Sequence, residues 1–156
     1  MDWVAQGAIT VGVGVVVWYL TSRVESIRRE KESLQDERRK IYSQVLEPYI
    51  RIFAGAKKPT ETKKAISSIT SFEYRRASFE LTMIGSDDVV RALNEMMQFS
   101  YRMGDGGSSA SPEDLLRYWG GLLLAIRRDL GNKGTKLSEV DMFRSQIKDI
   151  DQFTST

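Results

Sequence analysis

The sequence contains no cysteine and no histidine. The first absence removes disulfides, thiolate nucleophiles and thiolate metal sites. The second removes imidazole acid–base chemistry and every histidine metal ligand. A Ser-His-Asp triad cannot be assembled within this chain, and neither can a di-iron bundle, which draws on Glu-x-x-His. A zinc site would need carboxylates alone. The lack of cysteine fits a reducing, cytoplasmic compartment. An excess of one charge is also missing. The 23 Lys and Arg nearly balance the 21 Asp and Glu for a net charge of +2, so no global basic field marks a nucleic-acid binder. No cofactor motif and no catalytic set stands out, and the chain is not expected to be an enzyme.

What the sequence does contain is an uncharged run. Residues 3–22 read WVAQGAITVGVGVVVWYLTS and lie between Asp2 and Arg23. A helix rises about 1.5 Å per residue, so roughly 20 apolar residues cross a hydrocarbon core of about 30 Å. Trp3 stands at one end and Trp18 with Tyr19 at the other, the placement of an aromatic belt. A buried core helix, or a strand through the β-branched stretch 11–17, is the competing reading. No Lys or Arg precedes the run and no A-x-A site closes it, which argues against a cleaved signal peptide. The basic flank is Arg23, Arg28, Arg29 and Lys31. The positive-inside rule then predicts a single pass through the inner membrane, N-terminus outside and C-terminal body in the cytoplasm. Ala8 with Gly12, and Thr10 with Gly14, form small-xxx-small pairs that let two membrane helices approach.

The rest reads as helix throughout, giving an all-α expectation: a transmembrane anchor over 1–22, a charged helical stalk over 23–47, a small helical bundle over 48–150 and a disordered tail over 151–156. Val24, Ile27, Leu34, Ile41 and Val45 fall on one seam, with Lys31 and Arg38 at its remaining positions. This half-filled heptad either pairs as a coiled coil with its own copy or leans on its own body. Pro48 predicts a kink or break near Glu47, since a mid-helix proline costs about 3 kcal/mol. A second helix is expected from Thr60 or Glu61 to Ile84, with Ile66, Ile69, Phe72, Arg76, Phe79 and Met83 at helical spacing. Ser86 caps a third, carrying Val89, Val90, Leu93, Met96 and Met97. The GDGGSSA stretch at 104–110 reads as a flexible loop. Ser111-Pro112-Glu113-Asp114 starts the most hydrophobic helix, and Gly131 closes it. Ser138 and Asp141 open a last short helix, a loose capping box.

Four arginine pairs stand out: Arg28-Arg29, Arg38-Arg39, Arg75-Arg76 and Arg127-Arg128. Arginine forks hold phosphates well. Arg75, Arg76, Arg127 and Arg128 are therefore the anion-binding candidates. A structural role competes in each case: Arg127 and Arg128 sit where a helix C-terminus favours cations, and one of Arg75 and Arg76 is expected to face the interior or to snorkel. The glycine-rich loop lacks both G-x-x-x-x-G-K-[ST] and G-x-G-x-x-G and is read as a linker. Hydrolysis by paired carboxylates is a remaining, minor reading.

The stretch Ile84-Gly-Ser-Asp-Asp-Val-Val-Arg-Ala-Leu, followed by Leu123-Leu-Ala-Ile-Arg-Arg-Asp-Leu-Gly, resembles a pattern in small uncharacterised bacterial and phage-associated proteins. These have one N-terminal membrane helix and a helical cytoplasmic body. The resemblance spans about residues 39–131. It implies a bacterial cytoplasmic-membrane protein, and it implies no activity and no site residues.

The functional expectation is a membrane-anchored, non-enzymatic interaction or scaffold protein. Its partners would be the lipid bilayer, its own copies as a homo-oligomer, or a protein at the membrane. The alternative is a ligand-gated oligomeric membrane effector whose cytoplasmic domain senses a phosphorylated small molecule.

Overall fold

The structure is a computed structural model. It describes residues 2–54, 58–104 and 111–153, with side chains described except at 2–17, 20, 103, 104, 112 and 153. Among the described residues the chain is all-α: α1 (Asp2–Ala54), α2 (Pro59–Ile69), α3 (Phe72–Ile84), α4 (Asp87–Gly104) and α5 (Pro112–Asp129), then two 3-10 turns, Asp141–Phe143 and Ile150–Phe153. The chain divides into two compact units, 1–37 and 38–156, and α1 contributes to both.

The core of the second unit has one stripe from each of four helices. Tyr42, Val45 and Tyr49 come from α1, Tyr74, Ala77 and Leu81 from α3, Val89, Leu93 and Met96 from α4, and Leu122, Ala125 and Ile126 from α5. The three- and four-residue steps within each stripe are those of a helix burying one face. A smaller cluster forms where Leu116 of α5 meets Phe143 and Ile150 of the C-terminal segment, with Phe53 and Trp119 beside them.

Pro48 does not break α1, which runs on to Ala54. The proline forfeits one hydrogen bond, but Val45 and Tyr49 on either side are 0% and 4% exposed. Burial worth about 1.5–3 kcal/mol for each such side chain outweighs the loss. The seam expected to run down the stalk divides in two: Ile41 and Val45 are buried in the body, whereas Val24, Ile27 and Leu34 are exposed.

The helix expected over 60–84 is two helices, separated at Thr70 and Ser71. The cause is the hydroxyl run Ser67-Ser68-Ile69-Thr70-Ser71. Ser67, Ser68 and Thr70 each turn back to a carbonyl three residues earlier, at 2.7–2.8 Å. Ser71 accepts from the Tyr74 N–H at 3.2 Å and caps a new helix. Short hydroxyl side chains compete with the helical ladder in this way.

The new start also resets which face is buried. α3 turns Tyr74, Ala77 and Leu81 inward, and the expected stripe of Phe72, Phe79 and Met83 is 74%, 74% and 82% exposed. Ile66 is exposed as well, although Ile69 packs against the core.

The expected start of α5 is as read: Ser111 accepts from the Asp114 N–H at 3.1 Å, with Pro112 in the first turn. The last helix is not α-helical. Ser138 and Asp141 form the reciprocal capping box, with the Ser138 N–H donating to Asp141 Oδ2 at 2.8 Å and the Asp141 N–H to Ser138 Oγ at 3.3 Å. The Ser138 N–H and the Ser138 hydroxyl, both donating to Asp141 Oδ2 at 2.8 Å, hold the Asp141 carboxyl below the usual carboxylate range. The turn they start is a 3-10 turn of three residues. A side chain added at Gly120 would press on the Glu139 backbone, so the segment is seated against α5 by close approach.

Candidate functional site

A partly buried polar constellation joins α1, α3 and α5. Arg38 Nη1 donates to both carboxylate oxygens of Asp129, at 3.0 and 3.1 Å. Its Nε donates to the Ile84 carbonyl at 2.6 Å, and the Tyr42 hydroxyl donates to Asp129 Oδ2, also at 2.6 Å. The Asp129 side chain is 7% exposed and that of Arg38 22%. One guanidinium fork thus serves the end of α3 and the last residue of α5 together, which a lysine could not do. Burial and the Asp129 carboxylate push the Tyr42 hydroxyl well above its ordinary range. Arg38 was legible as a polar interruption of the α1 seam and as half of an arginine pair, and Asp129 closes the most apolar helix of the sequence. Those are the two places where a partly buried charge needs a partner. The constellation is satisfied internally and reads as an interhelical lock.

Next to it lies a tyrosine pair. The hydroxyls of Tyr49 and Tyr74 are 2.7 Å apart, with Met97 Sδ at 3.7 Å from each. The ring of Trp119 meets Tyr49 edge-on at 3.9 Å. Burial pushes both hydroxyls upward from an ordinary value of about 10. The native chain keeps these protons at a pH where the unfolded chain loses them. The stabilisation is therefore whole below pH 10 and falls as the pH rises above it, by up to about 1.4 kcal/mol per pH unit for each tyrosine. Tyr49→Phe is expected to flatten this alkaline loss in a pH series of urea melts. An unchanged slope would show that the pair ionises freely in the native state.

The four anion-binding candidates do not converge. Arg75 and Arg76 are both exposed, and neither faces the interior. The helix phase that buries Tyr74 and Ala77 turns them outward. They line different grooves. Arg76 lies in a groove of about 390 Å³ between α1, α2 and α3, together with Arg51 and Lys64. Arg75 lies in a groove of about 550 Å³ between α3 and α4, beside Phe79 and Tyr101. Arg127 donates through Nε to the Thr135 hydroxyl at 3.3 Å, which ties the end of α5 to the following loop. Arg128 is exposed, and its carbonyl accepts from the Gly131 N–H at 3.1 Å. Gly131 has the positive φ of 110° that such a helix end favours. Arg127 therefore plays the structural part of a helix C-terminus through its side chain, and Arg128 shares in the helix end through its backbone.

In the groove holding Arg76 three cations gather, and sequence spacing could not reveal it because they come from three helices. Each has a surface carboxylate: Arg51 with Glu47 at 2.6 Å, Lys64 with Glu61 at 3.5 Å, Arg76 with Glu80 at 3.5 Å. Exposed pairs of this kind contribute about 0–1 kcal/mol each, so an anion could displace them. Glu47 and Glu73 also line the groove, leaving it only slightly cationic. Among the described residues no group of three or more acidic side chains gathers as a metal-binding set.

No protein family, no curated protein and no solved structure matches this chain. Among the described residues no helix is long and apolar enough to cross a membrane. The run 3–22, with Ala8, Gly12 and Gly14, falls mostly on side chains outside the described ones.

Proposed function

We propose that this chain is a membrane-anchored, non-enzymatic interaction module: a single-pass N-terminal helix holding an all-α body at the cytoplasmic face of the inner membrane. The observation that carries the reading is the run of twenty uncharged residues at 3–22. Two features of α1 support it. Trp18 and Tyr19 are 70% and 52% exposed at the end of the run, where a spanning helix sets its aromatic belt. Arg23 donates to the Tyr19 hydroxyl at 3.1 Å, and its guanidinium lies 5.6 Å from that ring. The first cation of the basic flank thus sits on the last aromatic ring of the run. Confinement to a surface raises effective concentration, so modest contacts suffice for partners held there.

The test is fractionation after an alkaline carbonate wash. The full chain is expected in the membrane pellet. The double substitution Val13→Lys with Val16→Lys is expected to release it, since each central lysine costs about 2.5–3.5 kcal/mol of insertion free energy. Unsubstituted chain in the supernatant would overturn the reading.

A second reading, a ligand-gated oligomeric effector that senses a phosphorylated small molecule, is favoured by one observation. Arg51, Lys64 and Arg76 line a single groove, and arginine forks suit phosphate oxygens. The test is titration of the solubilised full chain with inorganic pyrophosphate. Saturable binding that Arg76→Glu abolishes supports the effector, and heat changes unaffected by Arg76→Glu remove it.

A further inference from the structure

We propose that the outer face of α3 is a self-association surface, through which two copies of this chain pair antiparallel about a twofold axis. The proposal goes beyond the anchoring reading and does not depend on it.

The outer face of α3 carries Phe72, Arg76, Phe79 and Met83, spaced four, three and four residues apart. This is the seam pattern by which one helix packs on another. Inside its own body α3 uses the opposite face, Tyr74, Ala77 and Leu81. The seam is therefore left over after folding, and its three apolar members are 74–82% exposed. Large apolar side chains clustered at that exposure mark a contact surface.

The register fits a second copy. When two such helices cross antiparallel with the axis between Ala77 and Ser78, Phe72 meets the partner's Met83. Arg76 then lies over the ring of the partner's Phe79, a cation–π geometry. The same contacts repeat on the other side of the axis, as an isologous twofold interface requires.

Charge fits as well. Glu73, Arg75, Arg76 and Glu80 sum to zero along this face, and Arg76 enters already paired with Glu80 at 3.5 Å. Two copies meet without net repulsion, whereas a face of zero net charge gains no attraction from an anionic lipid surface.

Area fits a modest dimer. Phe72, Phe79 and Met83 offer on the order of 450 Å² per copy. Tyr101 stands beside Phe79 on the neighbouring groove and adds to the rim. A standard interface takes about 800 Å² from each partner.

The chain has no cysteine, which makes the test clean. Full-length protein in detergent would carry Phe72→Cys, Met83→Cys, or both, and be oxidised. Positions 72 and 83 are about 16 Å apart along one helix, too far for a disulfide within one chain. In the antiparallel pair each sits opposite the other. The double variant is expected to give at least tenfold more disulfide-linked dimer than either single variant. In uncrosslinked protein, Phe79→Glu is expected to lower the mass in solution to that of a monomer with unchanged helical circular dichroism. Equal crosslinking of single and double variants, crosslinking to a different protein, or a mass unaffected by Phe79→Glu would each overturn the proposal. Carbonate fractionation of the same variants reports the anchor separately, so the two readings can fail independently.

Discussion

Replacing Arg38 with alanine is expected to destabilise the body by about 3 kcal/mol, read as a fall in the urea or thermal midpoint of the detergent-solubilised chain. Removing one partner of a buried ion pair typically costs 3–5 kcal/mol, because the other charge is left desolvated. Asp129, with a side chain 7% exposed, would keep only the Tyr42 hydroxyl, and the Ile84 carbonyl would lose its guanidinium partner. The lower end of the range applies because Arg38 retains about a fifth of its side-chain exposure. Asp129→Asn is expected to cost less, about 1–2 kcal/mol, since the amide oxygen still accepts hydrogen bonds without the charge. A loss below 1 kcal/mol for Arg38→Ala would show that α1, α3 and α5 are held by apolar packing alone.

The second large effect sets neighbouring glycines of α5 against each other. Glycine inside a helix is about 1 kcal/mol worse than alanine, so both would ordinarily improve on substitution. At Gly121 an added methyl meets nothing within 4 Å, and Gly121→Ala is expected to stabilise by about 0.5–1 kcal/mol. At Gly120 the methyl would stand 2.7 Å from the Glu139 carbonyl carbon. That neighbour is backbone and cannot swing aside. Gly120→Ala is expected to destabilise by about 2–3 kcal/mol, as overpacking does, and to loosen the segment carrying Phe143 and Ile150. Paired thermal melts of the two variants check the opposite signs. A gain from both would mean that the 138–150 segment does not rest on α5.

Features written in local chemistry were legible from residues alone. The all-α class follows from apolar spacing, the start of α5 from Ser111-Pro112-Glu113-Asp114, and the 138–141 capping box from its serine and aspartate. The break at Thr70 was present as a hydroxyl run, but each residue alone is tolerable in a helix and only their joint back-bonding ends it. The buried face of α3 was misread for a related reason. The stripe of Phe72, Phe79 and Met83 is the more hydrophobic one, and hydrophobicity ranks faces without saying which one meets a neighbour. Tyr74 wins the interior because its hydroxyl finds Tyr49 at 2.7 Å, a pairing 25 residues apart that spacing cannot show. The Arg38–Asp129 lock spans 91 residues and was hidden for the same reason. The cationic groove was half legible, since Arg76 was singled out while Arg51 and Lys64 reach it from other helices.

Sidedness of labelling tests the anchoring account most directly. In the cysteine-free chain, Asp2→Cys and Ser33→Cys lie on either side of the uncharged run, and Ser33 is exposed. With a membrane-impermeant maleimide on intact spheroplasts, the account predicts labelling at position 2 at once and at position 33 only after permeabilisation. Labelling of both positions only after permeabilisation, with the chain extracted by carbonate, would contradict it.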